Sequence, residues 1–115
     1  MPSYPQTICP SACLEDNHSL GFQHQQESGI LVRFQGQVYA YLNRCPHRHK
    51  ALSNGPNFLD DDGLFLQCEH HKAIFSIASG TCITGPCIHQ QLTSIAVAEQ
   101  EGDILLLGWP RQTNL

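Results

Sequence analysis

The 115-residue sequence has little positive charge and no long hydrophobic run. Six residues are Lys or Arg against ten Asp or Glu, which gives a formal net charge of -4, and the basic residues are scattered. Nucleic acid and anionic membranes are therefore not expected as partners, because few cations are available to neutralise phosphates. The polar start MPSYPQTICPSACLEDN lacks a cationic segment followed by an apolar one, and no apolar stretch is long enough to cross a bilayer. We expect a soluble, cytoplasmic protein.

A sustained helical period is also missing, and so are internal repeats, low-complexity tracts and linkers. The length suits one small domain and is too short for a catalytic domain beside it. We therefore expect a single domain over residues 1–115. Residues 1 to about 25 are the part from which least structure can be predicted.

Residues that favour β-structure occur in pairs of short segments. Residues 30–34 and 38–42 are rich in such side chains and flank Gln35 and Gly36, which predicts a hairpin. The same pattern of apolar strand residues around polar or glycine turns predicts a second hairpin over 58–66 and a third over 94–109 that turns near 101–103, and a short strand closed by a turn over 74–80. The expected fold class is all-β, with small antiparallel sheets and functional loops that leave the hairpins.

Cysteine and histidine are concentrated in two segments, CPHRHKAL from Cys45 and CEHHKAIF from Cys68. Cys45 and His47 form a CxH motif, Cys68 and His71 form a CxxH motif, and each motif follows a predicted hairpin. Two thiolates and two imidazoles can hold a tetrahedral zinc ion, or the two irons of a [2Fe-2S] cluster. Because each loop mixes one cysteine with one histidine, unlike the usual zinc finger, a cluster is favoured and zinc stays an alternative.

The other cysteines and histidines have simpler interpretations. The absence of a signal peptide argues against a secreted disulfide framework. Four cysteines without a histidine at ligand spacing are expected to be small buried hydrophobic residues, namely Cys9, Cys13, Cys82 and Cys87. Surface or turn positions are expected for His18, His24 and His89. Trp109 is expected to pack, and the three aspartates at 60–62 to form a solvated turn rather than a docking patch.

The two motifs together resemble those of the Rieske 2Fe-2S family, specifically its soluble, ferredoxin-like branch. The first box of that family, CxH followed by an apolar position, is similar to CPHRHKAL with Leu52. The second, CxxH followed by an aromatic residue and then Ser or Thr before Gly, is similar to CEHHKAIFSIASG with Phe75 and Gly80. Gly85 and Pro86 resemble the pair on the family's cluster-shielding loop.

The resemblance implies a Rieske iron-sulfur domain that carries one [2Fe-2S] cluster. Its cluster-binding part, at about 45–86, would be inserted in a β base. The buried iron would be bound by Cys45 and Cys68, and the outer iron by His47 and His71. The remaining histidines of the two loops, His49 and His70, would be exposed to solvent beside the cluster.

The resemblance also implies a function, that of a low-potential ferredoxin. Such a protein passes single electrons from a flavoprotein reductase to a terminal oxygenase or similar acceptor and is not itself an enzyme. Two alternatives stay open, a small non-catalytic Rieske-like subunit of a reductase complex and a zinc-bound structural or interaction module.

The sequence departs from the family pattern at several loop positions. Lys72 and His49 stand where glycine is usual, and a positive φ at Lys72 would cost about 1 kcal/mol. Compared with high-potential Rieske proteins, disulfide cysteines are replaced by Lys50 and His70, and hydroxyl side chains by Ala73 and Phe75. These replacements imply a low reduction potential.

Overall fold

The structure is a computed structural model, and it describes residues 3–46, 51–53, 57–69, 72–86 and 88–110. The positions predicted as histidine ligands lie outside the described residues, as do the neighbouring loop residues and one cysteine. They are His47, His49, Lys50, His70, His71 and Cys87.

The expected all-β class is confirmed, since the described residues form strands, turns and one short 3-10 helix at Ser11–Cys13. The strands are β1 Gln6–Pro10, β2 His18–His24, β3 Glu27–Phe34, β4 Gln37–Leu42, β5 Phe65–Gln67, β6 Ile74–Ser76, β7 Cys82–Thr84, β8 Val97–Gln100 and β9 Asp103–Leu106. Over the same residues, no helix has the length and apolar character that a membrane span requires.

The strands make three small antiparallel sheets, in the orders β1-β9-β8, β2-β3-β4 and β5-β6-β7. The edge strand β4 also meets the segment before β8, because Ile95 N donates to Ala40 O and Leu42 N donates to Thr93 O, both at 2.8 Å. These bonds join the first two sheets into a continuous base.

The hairpins predicted around residues 35–36 and 101–103 are confirmed. Gln35 and Gly36 have φ of 53° and 80°, and Glu101 and Gly102 have φ of 51° and 83°. Two consecutive residues with positive φ are typical of a type I′ turn, whose twist matches that of antiparallel strands. Local turn chemistry therefore sets the register of both hairpins.

The strand β3 is buried on both faces and separates two hydrophobic clusters. Ile30 and Val32 belong to one cluster and Leu31 to the other, as the alternation of side chains along a strand requires. The first cluster also contains Cys45 and Cys68, and we call it the loop-side core. The second, which packs against β9, is the base core.

The amino-terminal strands were not predicted. β2 carries polar residues at most positions, and β1 pairs with β9 from the other end of the chain. A polar strand such as β2, or one with a distant partner such as β1, leaves little local signal, because packing against neighbours, rather than intrinsic preference, decides it.

Candidate metal centre

Cys45 lies just beyond β4 and is 1% exposed. Asn43 closes the loop around it, because its Nδ2 donates to Ser53 O at 2.9 Å and its Oδ1 accepts from Leu52 N at 2.8 Å. A hydrogen-bonded side-chain amide thus holds the beginning and end of the first loop together. Asn43 was not singled out from the sequence, because its partners lie on the far side of the loop.

Cys68 lies just beyond β5 and is fully buried. Its amide donates to Ala73 O at 2.9 Å, and the amide of Lys72 donates to Cys68 O at 2.9 Å. These bonds hold the two ends of the second loop together between β5 and β6. Lys72 has φ of 57°, so the positive φ considered from the family pattern is present although the residue is not glycine.

The two loops meet directly. The amide of Glu69, next to Cys68, donates to the carbonyl of Leu52 at 2.8 Å. Cys45 and Cys68 also share the loop-side core with the fully buried Leu52 and Ala73. The fold therefore brings the two predicted cysteine ligands into one apolar environment, as the sequence motifs required.

The segment after β7 packs on the second loop. A Cβ atom at Gly85 would lie 2.9 Å from Ala73 Cα and 3.0 Å from Ala73 Cβ, and Gly85 has φ of 108°. Glycine is required there both for the conformation and for the close approach. The loop at 85–86 thus lies against the residues that follow Cys68, where a shielding loop was expected.

Tyr41 connects the base to the sheet that carries the second loop. Its buried hydroxyl donates to Ile77 O at 2.5 Å, and burial, with a smaller contribution from Tyr39, raises the pKa of Tyr41 to about 12. Gly80 lies against its ring, where a Cβ atom would be 2.8 Å from Tyr41 Cε1. This link was not predicted, since nothing near Tyr41 in the sequence identifies its partner.

Several predictions about other residues need correction. His24 is not a surface residue, being 7% exposed and bonded to Tyr4, whereas His18 and His89 are exposed as expected. Cys82 is buried as expected, but Cys13 is exposed and Cys9 only half-buried, because Cys13 ends a short 3-10 helix that has no buried residue and Cys9 lies just before that helix.

The aspartates at 60–62 differ in their contacts. Asp60 Oδ1 accepts from the amides of Leu64 and Phe65 at 3.0 and 3.2 Å, so this carboxylate stabilises the turn before β5. Asp61 and Asp62 are exposed. The interpretation as a solvated turn agrees with these contacts. Trp109 packs against the base core, as predicted.

The donor set present in the described loops fits an iron-sulfur cluster. Two thiols from separate loops share a water-poor core, and thiolates are the ligands that iron-sulfide clusters use. The two histidine positions lie outside the described residues, so their ligation stays a prediction.

The comparisons with known proteins agree with this arrangement. A family model described as "Rieske [2Fe-2S] domain" matches residues 4–101. The "3-phenylpropionate/cinnamic acid dioxygenase ferredoxin subunit" of Escherichia coli (strain K12) is 29% identical over 100 residues, which cover 85% of this chain and 88% of that protein. Its name describes a ferredoxin component of a dioxygenase.

Solved structures share the fold. The "Ferredoxin of carbazole 1,9a-dioxygenase from Nocardioides aromaticivorans IC177" superposes with a TM-score of 0.73 at 24% identity, covering 91% of this chain and 98% of that one. The "Sphingomonas yanoikuyae B1 ferredoxin" gives 0.72 at 22% identity, covering 91% and 99%. With its two cysteine loops joined in one core and the family model matched over most of its length, the chain belongs to the Rieske [2Fe-2S] domain family, and its cofactor is a [2Fe-2S] cluster.

Proposed function

We propose that this protein is a one-electron carrier, a low-potential Rieske-type ferredoxin that takes electrons from a flavoprotein reductase and passes them to a terminal oxygenase. The observation that carries the proposal is the bond between Glu69 N and Leu52 O, which joins the two cysteine loops within a Rieske domain. The name and similar length of the Escherichia coli ferredoxin subunit support the same role. The terminal acceptor is proposed from that name and from the structure titled "Complex of reduced oxygenase and oxidized ferredoxin in carbazole 1,9a-dioxygenase", which has a TM-score of 0.76 at 21% identity and covers 95% of this chain and 97% of that one.

The proposed ligands are Cys45 and Cys68 for the inner iron and His47 and His71 for the outer iron. When bound, the cluster supplies a site that accepts and releases one electron. Neutral imidazoles in place of two thiolates make that site less negative, which favours its reduction relative to an all-cysteine cluster.

The surrounding residues exclude water and fix the loops. Leu52, Ala73 and Phe75 are fully buried around the two cysteines, and Asn43 fixes the first loop. A rigid, dry setting limits rearrangement when the charge of a redox site changes. In the proposed function these residues serve electron transfer by keeping water away from the cluster and the loops in place.

We also propose that residues 1–115 form one domain, with the cluster-binding part at about 45–86, and that the protein is cytoplasmic and not itself an enzyme. The three small sheets around two adjoining cores support the single domain. The role as a component rather than a catalyst is supported by the ferredoxin names of the curated relatives.

Two measurements test the proposal. The purified protein is expected to be red-brown, with two irons and two sulfides per chain, the composition of one [2Fe-2S] cluster, and almost no zinc. A colourless protein holding one zinc per chain after expression in iron-replete cells would support the zinc module instead.

The second measurement concerns electron transfer. A flavoprotein reductase with a nicotinamide cofactor is expected to bleach the visible spectrum, and an oxygenase to restore it. Turnover of an aromatic substrate by this chain alone, with no oxygenase present, would contradict the assignment as a carrier.

A further inference from the structure

A second group of redox-capable side chains lies away from the cysteine loops. Tyr4, Phe22 and Trp109 pack against the base core, whereas Cys45 and Cys68 belong to the loop-side core. The buried His24 lies between Tyr4 and Trp109, with ring contacts to both. Neither the proposed ligands nor the proposed electron-transfer role accounts for this arrangement.

Tyr4 is hydrogen-bonded to a base. Its hydroxyl oxygen lies 3.0 Å from His24 Nε2, and His24 is 7% exposed. The Tyr41 hydroxyl instead donates to a backbone carbonyl, which does not take up a proton. Loss of an electron makes a phenol strongly acidic, so a tyrosine is oxidised far more easily when a base accepts its proton across an existing hydrogen bond.

Trp109 lies on the other side of His24 and, like Tyr4, is hydrogen-bonded to a side chain that can accept a proton. It is the single tryptophan of the chain, and its ring centroid lies 4.6 Å from that of His24 with an interplanar angle of 31°. Its Nε1 donates to Glu27 Oε1 at 2.8 Å. Glu27 pairs with His24 across the β2-β3 hairpin, so the hairpin provides both proton acceptors.

We propose that Tyr4, His24 and Trp109 form a proton-coupled redox relay that removes strong one-electron oxidants. The oxidant takes one electron from Trp109 and leaves an indole radical cation, whose proton stays on Nε1 and is stabilised by its hydrogen bond to Glu27. One electron then moves from Tyr4 to Trp109, the phenol O–H bond breaks, and the proton binds His24 Nε2. The products are a neutral tyrosyl radical, an imidazolium ion and restored Trp109.

The relay is completed by a soluble reductant such as ascorbate. One electron from ascorbate and the proton from His24 regenerate the phenol. The transfer requires the His24 tautomer that carries its proton on Nδ1, which leaves Nε2 as the acceptor. The alternative is that the three rings only pack together and stabilise the two ends of the chain. That alternative requires neither this tautomer nor any proton movement.

The test uses the holoprotein with its cluster oxidised and a photogenerated ruthenium(III) polypyridyl complex as the oxidant. Electron paramagnetic resonance of rapidly frozen samples identifies the radicals. The wild-type protein is expected to give a tyrosyl radical, formed more slowly in D₂O because a proton moves with the electron.

Four variants distinguish the relay from alternatives. Tyr4→Phe is expected to lose the tyrosyl signal and prolong the Trp109 radical, whereas the control Tyr39→Phe keeps the wild-type behaviour. Trp109→Phe is expected to lose the Tyr4 radical. His24→Gln, which retains a hydrogen-bonding side chain but not a base, is expected to lose the tyrosyl radical and the isotope effect.

Three results would overturn the proposal. They are an undiminished tyrosyl signal in Tyr4→Phe, an undiminished Tyr4 signal in Trp109→Phe, and the absence of a deuterium effect in the wild-type protein. Near-ultraviolet circular dichroism and the visible spectrum check the fold of each variant. If His24→Gln does not fold, the comparison of Tyr4→Phe with Tyr39→Phe decides the outcome.

Discussion

Two adjacent histidines follow Cys68, and at the scale of single residues the proposed function depends on which one binds iron. The family register selects His71, whereas symmetry with the CxH motif of the first loop selects His70. Lys72 N donates to Cys68 O, and a cluster of the proposed composition takes one histidine from each loop. One of the two histidines is therefore expected to be the ligand.

We predict that His71→Ala abolishes cluster assembly and that His70→Ala leaves the cluster in place. Loss of a ligand opens the outer iron to solvent, so iron, sulfide and visible absorbance should all be lost together. The His70→Ala protein serves as the matched control, since it removes the same side chain one position earlier. Retention of the cluster in His71→Ala but not in His70→Ala would contradict the family register.

Whether the environment of a residue can be predicted from the sequence depends on how far away in the sequence its contacts lie. The meeting of Cys45 and Cys68 in one core was predictable because each belongs to a short motif that carries its own chemistry. His24 was not, because burial comes from Tyr4 and Trp109, which are distant in sequence. Lys72 adopts the positive φ normally given to glycine because the closed second loop imposes it.

At the scale of elements, the hairpins were predictable from alternating apolar residues and turn residues, but their mutual packing was not. The loop at 85–86 illustrates the difference, since Gly85 and Pro86 were recognised in the sequence only as part of a family motif. Its contact with Ala73 depends on the three-stranded β5-β6-β7 sheet, in which β6 pairs with both neighbours.

We predict that Gly85→Ala destabilises the holoprotein by about 1–3 kcal/mol, because it combines a strained φ with overlap against Ala73. Loosening this loop should expose the second cysteine loop to water and accelerate bleaching of the cluster on heating. The control is Gly102→Ala, where φ is 83° but no atom lies within 4 Å of the new Cβ. Equal effects of the two substitutions would show that strain alone matters.

The link between β4 and the segment after β6 gives a pH-dependent prediction. Burial raises the pKa of Tyr41 to about 12 from an unperturbed value of 10, so the protonated hydroxyl stabilises the folded state. This contribution is complete below pH 10 and is lost as the pH rises from about 10 to about 12. Tyr41→Phe also leaves Ile77 O without its donor, at a cost of about 1–3 kcal/mol at neutral pH.

Denaturant unfolding at neutral and alkaline pH checks the Tyr41 prediction. The difference in free energy of unfolding between wild type and Tyr41→Phe is expected to shrink above pH 10. Tyr39→Phe is the neighbouring control on the same strand. A difference that stays constant into the alkaline range would contradict the assigned role of the Tyr41 proton.

At the scale of the whole molecule, one sheet separates the two cores. The residues of β3 and β4 that face one side surround the cysteine loops, and those that face the other side pack with β9. Sequence patterns indicated the strands but not this division, because a fully buried strand shows no alternation of polar and apolar residues. The division separates the electron-transfer site from the aromatic group at Tyr4, His24 and Trp109.

The reduction potential is the property of the whole molecule that the loop composition predicts. A hydroxyl that donates to a cluster sulfur stabilises the additional negative charge of the reduced state and raises the potential. The family register predicts that the two positions that carry such hydroxyls in high-potential Rieske proteins are Ala73 and Phe75 here, and both side chains are fully buried and lack a hydrogen-bond donor. Lys72 acts in the opposite direction, but its exposed charge is screened by water.

We therefore predict a potential of about −150 mV, near the low end of the Rieske range, and roughly constant across neutral pH. Constancy is expected because histidine ligands on an electron-rich cluster hold their outer protons firmly. Protein-film voltammetry across pH provides the measurement, and a high positive potential, or one that falls steadily through neutral pH, would contradict this account of the loops.

Two substitutions test the cause of the predicted low reduction potential as well as its value. Phe75→Tyr and Ala73→Ser each restore a hydroxyl at a position beside the second cysteine loop, and each is expected to raise the potential. Phe65→Tyr, on the neighbouring strand β5, adds the same hydroxyl to a half-buried ring and is expected to leave the potential unchanged. An equal shift in all three variants would mean that general polarity, rather than a hydrogen bond to sulfur, sets the potential, because only the first two hydroxyls occupy the donor positions.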